Sequence, residues 1–165
     1  MTTKTVVSMV LVVLLLPMTA AAQKKGSIEL RSISEVEVAT TNAKGEKEVK
    51  RVDAAASKVI PGDVVIFTTQ YANVDKKPAE NVVIINPVSE HVVYVENSAE
   101  GPGMKIEFSV DQGKRYAAPD KLVKTDAKGV SRRAAAREYT HIRWTLGKPL
   151  APGGKGSVSF RARVK

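Results

Sequence analysis

The side chains best suited to chemistry in this sequence are basic, and they are concentrated at one end of the chain. Residues 114–165 hold 14 Lys and Arg against three Asp and Glu, whereas residues 23–113 hold 11 against 14. Arginine forks bind carboxylate, phosphate and sulfate groups in a defined geometry. The charge asymmetry therefore predicts a surface for an anionic partner in the C-terminal part. A solvated basic surface that only aids solubility is the alternative.

The other polar residues form no catalytic or metal-binding pattern. The two histidines, His91 and His141, do not form an HExxH motif, and the sequence has neither a GxSxG elbow nor a Gly-rich phosphate loop. The turn Asp111-Gln112-Gly113 offers one carboxylate, where a calcium loop supplies several. Zero cysteine excludes disulfides, thiol nucleophiles and thiolate metal centres. We therefore expect a non-enzymatic protein with no cofactor and no metal.

Two predicted strands would position the basic side chains. In residues 140–146 and 157–164, apolar positions such as Trp144 and Phe160 alternate with polar ones, which is typical of half-buried strands. We expect the two strands to pair as a hairpin, so that the side chains opposite Trp144 and Phe160 share one outer face. Together with the long loop of residues 114–137, this face is the predicted polyanion-binding or partner-binding surface, comprising His141, Arg143, Arg161, Arg163, Lys165, Arg132, Arg133 and Arg137.

The same period of two runs through most of residues 28–165 and predicts the fold class. Short β-branched runs are separated by Gly, Pro and Asn turns, for example Asn42-Ala43-Lys44-Gly45, and amphipathic helices between strands are missing. We predict an all-β, immunoglobulin-like antiparallel β-sandwich of about eight strands. Residues 131–138, rich in Ala and Arg, are the one candidate helix.

The first 22 residues are predicted to be a signal peptide. Lys4 precedes an apolar run over residues 6–16, which Ser8 alone interrupts and Pro17 ends. The small residues Ala20 and Ala22 precede Gln23, as signal peptidase requires. Eleven residues are too few for a membrane span, which needs about 20. We expect cleavage after Ala22, a mature chain of residues 23–165 without a transmembrane segment, and export to the periplasm, the cell surface or the exterior.

Several sequence blocks resemble the bacterial surface module known as domain of unknown function eleven. The blocks are Pro61-Gly62-Asp63 within residues 59–67, then Asn73, then residues 79–84, 94–99, 142–146, 150–153 and 157–160. The resemblance covers residues 59–165 and implies an immunoglobulin-like sandwich of envelope and surface proteins without known catalytic activity. Asp75 and Asn86 depart from the family pattern. Residues 114–137 would be an insertion, and residues 27–58 an N-terminal hairpin extension outside the resemblance.

These observations lead to one function and one alternative. We expect an envelope or extracellular interaction module that binds another surface protein or an anionic polymer such as lipopolysaccharide, acidic polysaccharide or extracellular DNA. Few aromatic residues lie among the basic ones, so readout of nucleic-acid bases is not expected. The alternative is a periplasmic accessory or chaperone-like subunit that pairs an edge strand with its client.

Overall fold

The computed structural model describes residues 28–42 and 44–165. The predicted signal peptide and its cleavage residues Ala20, Ala22 and Gln23 lie outside the described residues. In the described part, no helix has the length and apolar character to span a membrane. That part forms the strands β1 (Ile28–Thr41), β2 (Lys47–Asp53), β3 (Val64–Asn73), β4 (Val83–Pro87), β5 (Val92–Tyr94), β6 (Met104–Ser109), β7 (Val123–Thr125), β8 (Ser131–Arg133), β9 (His141–Leu146) and β10 (Lys155–Val164), with 3-10 turns at Ala54–Ala56 and Ala136–Glu138.

The strands form two antiparallel sheets that pack face to face. One sheet has the order β2-β1-β3-β10-β5 and the other the order β4-β9-β6. Strands β7 and β8 pair separately as a small ribbon. The predicted all-β antiparallel sandwich is confirmed. The described residues contain two strands more than expected, because β7 and β8 lie inside the predicted long loop.

The core lies between the two sheets and is built by the alternation of each strand. Trp144 and Ile142 on β9 are fully buried and face Phe160 and Val158 on β10. The rings of Trp144 and Phe160 have centroids 6.4 Å apart across the sandwich. Since successive side chains point to opposite faces, the neighbours of these residues lie on the two outer faces.

The N-terminal hairpin belongs to the larger sheet. Strand β1 pairs with β2 over residues 35–41 and with β3 over residues 28–36. The predicted turn between β1 and β2 is confirmed, because the Asn42 side chain accepts hydrogen bonds from the backbone of Lys44 and Glu46. Gly45 supplies the positive φ of 83° that the turn requires.

Two sequence-based expectations about the C-terminal part are wrong. Strands β9 and β10 do not pair: β9 lies between β4 and β6, and β10 lies between β3 and β5. Residues 131–138 are not one helix but the strand β8 followed by the 3-10 turn Ala136–Glu138. A helix of two turns is unstable by itself, so pairing with β7 outweighs its weak helix propensity.

Candidate anion-binding surface

The predicted basic face is divided between opposite sides of the sandwich. Arg143 lies on the outer face of the three-stranded sheet, and Arg161 and Arg163 lie on the outer face of the five-stranded sheet. The reason is that Trp144 and Phe160 contact each other across the core and not within one sheet. A single face containing His141, Arg143, Arg161 and Arg163 therefore does not exist.

Arg143 is held by Glu107 on the neighbouring strand β6 and by Tyr116, which follows that strand. Its Nη2 donates a hydrogen bond of 2.8 Å to Glu107, and its guanidinium lies 4.3 Å from the ring centroid of Tyr116. Lys105 forms a second ion pair with Glu107 at 2.9 Å. Burial opposes ionisation of Glu107, but the hydrogen bonds from Lys105 and Arg143 hold its pKa below the usual value. His141 lies next to this group, with Nδ1 at 3.2 Å from the Thr140 hydroxyl.

Arg161 is neutralised in a similar way on the opposite face. Both of its terminal nitrogens donate to the carboxylate of Glu37, at 3.1 and 3.2 Å, and Arg51 approaches the same carboxylate at 3.5 Å. The hydrogen bond from Arg161 is the main reason why the pKa of Glu37 lies below its usual value. Arg163 donates to the carbonyl of Gly62, and Lys165 donates to the carbonyl of Glu90. These contacts fit a structural role for most of the predicted strand residues.

Residues 114–138, here called the basic arm, form a more concentrated positive surface. The arm holds eight basic and three acidic residues. In its ribbon, Val123 pairs with Arg133, Lys124 with Arg132 and Thr125 with Ser131, and all six residues are exposed. The turn at the tip is closed by the Asp126 side chain, which accepts from the backbone of Lys128 and Val130. The arm is thus an ordered hairpin and not an open loop.

The base of the arm is anchored in the hydrophobic core. Leu122 and Ala134 are buried and joined by a backbone hydrogen bond of 2.9 Å. Tyr139, which follows the arm, packs its ring against Phe108 with centroids 4.5 Å apart and against Tyr94 at 5.6 Å. Apolar burial of this kind stabilises the base of the arm. It fixes the exposed ribbon relative to the sandwich.

Glu138 ties one face of the ribbon to the base of the arm. Its carboxylate accepts two hydrogen bonds of 2.7 Å from Arg132, one of 3.1 Å from Lys124 and one of 3.0 Å from the backbone of Ala135. The hydrogen bond from Arg132 is the largest cause of a pKa far below the usual range for this carboxyl. Two cations thus share one carboxylate, so this face keeps an excess of positive charge.

The remaining cations of the arm are exposed, and no carboxylate lies within 4 Å of them in the described part of the chain. Arg133 donates through Nε to the carbonyl of Pro119, which leaves its terminal nitrogens for other contacts. Arg115, by contrast, is paired with Asp111 at 2.7 Å. The arm cations that form no ion pair with another described residue are Lys114, Lys121, Lys128, Arg133 and Arg137.

The sequence predicts that the arm is basic, but it did not identify the acidic residues that form ion pairs with some of the basic side chains and leave others without an ion pair among the described residues. Glu37 and Glu107 alternate with apolar positions on their strands, and this alternation is the signal in the sequence that assigns them to outer faces. The sequence did not show which arginine would lie opposite each of them. Between residues 28 and 165 apart from 43, no cluster of three His, Cys, Asp or Glu side chains suited to a metal is found.

Comparisons with protein families, with curated proteins and with solved structures find no match to this chain.

Proposed function

We propose that the protein is an exported, non-enzymatic module of the cell envelope or extracellular space that binds an anionic polymer through the basic arm. The observation that carries the proposal is the set of five exposed arm cations that have no carboxylate partner among residues 28–42 and 44–165. Their chemistry suits phosphate, sulfate or carboxylate groups repeated along a chain. Lipopolysaccharide, acidic polysaccharide and extracellular DNA offer such groups outside the cytoplasm.

The order of the arm supports this function. A flexible basic loop would lose conformational freedom on binding, and that loss weakens affinity. In this protein, the Glu138 contacts and the buried base hold the arm in place before any ligand arrives. The predicted mature chain, residues 23–165, holds 25 Lys and Arg against 17 Asp and Glu, and this excess adds long-range attraction to a polyanion.

Four buried polar residues support a non-enzymatic assignment, because each of them is bound within the fold: Thr69, Asn73, Glu107 and Ser109. Thr69 and Asn86 hydrogen-bond to each other, and the Ser109 hydroxyl donates to Asp111. Glu107 is bound by Arg143 and Lys105. Asn73 is satisfied by backbone groups. Each of these groups thus has a structural partner.

The test measures binding of dextran sulfate, a polyanion without bases or protein epitopes, over a range of salt concentrations. The arm variant changes Lys121, Lys128, Arg133 and Arg137 to Gln. We expect its affinity to fall at least about tenfold, a loss of about 1.4 kcal/mol, because attraction to the polymer depends on these charges. Binding by the unchanged protein should weaken steeply as salt rises.

The control variant changes four exposed lysines outside the arm, Lys58, Lys76, Lys77 and Lys155, to Gln. It removes the same net charge, so equal losses in both variants would mean that only total charge matters and would contradict a specific arm surface. The Gln variants of Arg143 and Arg161 should bind nearly as well as the unchanged protein. A single protein captured from envelope extract and retained through high salt would point to a protein partner and would overturn the polymer proposal.

The alternative function, an accessory subunit that pairs an edge strand with a client, is favoured by one observation. Residues 28–34 of β1 have a backbone edge that no described strand covers. Client binding through this edge should persist in high salt and should stop when a proline is placed in the strand.

A further inference from the structure

The free edge of β1 differs from the other sheet edges of the described chain. Natural sheets protect their edges with charge, proline, short strands or covering segments. Strand β2 carries Lys47, Lys50 and Arg51, β4 ends in Pro87, and β5 has three residues. Ala117 covers β6 through two hydrogen bonds with Phe108. In the described part of the chain, the stretch of residues 28–34 has none of these protections apart from the charges of Glu29 and Arg31.

An uncovered apolar side chain lies at the centre of this edge. Leu30 lies on the core-facing side of β1 but is 54% exposed. It lines a shallow concavity of about 390 Å³ together with Ile28, Val82 and Val83. Val83 is itself 46% exposed. An apolar contact across the edge would remove this surface from water.

Leu30 lies between an acidic residue, Glu29, and a basic residue, Arg31. Two copies related by a two-fold axis at Leu30 would therefore place opposite charges next to each other. In an antiparallel pair centred on Leu30, Leu30 of one copy faces Leu30 of the other, and Glu29 faces Arg31 twice. Directly opposite side chains in such a pair lie about 5 Å apart, which is within reach of ion pairing. Within one copy, neither Glu29 nor Arg31 has an oppositely charged group within 4 Å among the described residues. A pair centred on Arg31 would place two arginines opposite each other.

The space beside β1 also fits this register. Strand β2 covers β1 from Glu35 onwards, where Glu35 is paired with Asp53, the last residue of β2. The turn Ala54–Ala56 comes directly after Asp53 and also lies next to β1. A symmetric pair over residues 28–32 stops before that obstruction in both copies. A pair centred further along β1 would collide with β2.

We propose that two copies of the protein associate through β1, with antiparallel pairing of residues 28–32 about a two-fold axis at Leu30. The result is a continuous ten-stranded sheet made of the two larger sheets. Such isologous pairing is the commonest form of symmetric dimer. The contact is short, so the dimer belongs to the weak class of interfaces. This inference is independent of the polymer-binding function.

The test is sedimentation equilibrium of the protein expressed from its full sequence, over about 1 µM to 1 mM, which spans weak association. The unchanged protein should pass from monomer to dimer within this range. Glu29→Arg and Arg31→Glu should each weaken dimerisation at least about tenfold, because each creates two like-charge contacts. The double variant restores the opposite charges and should dimerise like the unchanged protein. Because neither side chain has an ion pair with another described residue, both single variants should keep the monomer's thermal stability.

Several results would overturn the proposal. One is a protein that stays monomeric over the whole concentration range. A strand of a different protein bound to the β1 edge would overturn it as well. Another is a dimer that is insensitive to both single substitutions, which would lie at a different surface. A third is a double variant that stays monomeric, as the two single variants do. That result would show that the proposed register is wrong, because only this register places residues 29 and 31 opposite each other.

Discussion

At the scale of single residues, Asn73 shows how one buried amide joins distant parts of the sandwich. It is 1% exposed, and its side-chain nitrogen donates 2.8 Å hydrogen bonds to the carbonyls of Lys77 and Leu150. Its side-chain oxygen accepts from the backbone of Asp75. The contacts with Lys77 and Asp75 are typical of Asn, which readily hydrogen-bonds nearby backbone in loops. The bond to Leu150, 77 residues away, was beyond local reasoning.

Asn73→Ala should lower the free energy of unfolding by about 1–3 kcal/mol. The substitution removes three hydrogen bonds of a buried side chain, those to the carbonyls of Lys77 and Leu150 and that from the backbone of Asp75. The net contribution of a hydrogen bond to stability is about 0.5–1.5 kcal/mol. Chemical denaturation with urea measures the loss. Gln70→Ala, at an exposed position of the same strand, is the matched control and should change stability much less. Equal effects of the two substitutions would contradict the role assigned to Asn73.

At the scale of elements, the basic arm depends on Glu138 for its order. The folded carboxyl has a lowered pKa, so protonation favours the state in which the arm is released. Its contribution to stability is complete above the unfolded value of 4.5 and is lost as the pH falls below that value towards the folded pKa. The arm should therefore stay ordered at neutral pH and loosen in acid.

Glu138→Gln should loosen the arm at neutral pH, because the neutral amide no longer pairs with Arg132 and Lys124. Limited digestion with trypsin measures this, since the arm contains many Lys and Arg bonds. We expect cleavage within residues 121–133 to accelerate several-fold, in line with a lower cost of local opening. Glu96→Gln, at an exposed carboxylate without an ion pair in the described chain, is the control. An unchanged cleavage rate in Glu138→Gln would show that the buried base alone orders the arm.

At the scale of the whole molecule, the alternation of apolar and polar residues along a strand predicts which side chains are buried more securely than it predicts which strands pair. Trp144 and Phe160 were correctly expected to be buried, because each alternates with polar neighbours along its strand. The same pattern arises whether two strands lie side by side or face each other across a core. The short link of residues 147–154 favoured a hairpin. Instead, Leu150 pairs with Ala79 and Asn73 binds this link, which directs the chain into the other sheet.

The arm and the β1 edge lie at opposite ends of the larger sheet. Tyr139 joins the arm to β5, which is three strands away from β1 in the sheet order. With about 4.8 Å between strands, a dimer through β1 would separate its two β5 strands by about 34 Å. Each end would then carry one basic arm.

This geometry predicts that a long polyanion binds both arms while a short one binds a single arm. Affinity per sulfate group should rise at least about tenfold once dextran sulfate exceeds this span, because the second contact becomes intramolecular. In Glu29→Arg, the ratio of long-chain to short-chain affinity should fall to near one, although its extra charge raises both affinities. The double variant should recover the ratio. Length dependence that persists in Glu29→Arg would mean that one arm alone senses polymer length, and the two surfaces would then act separately.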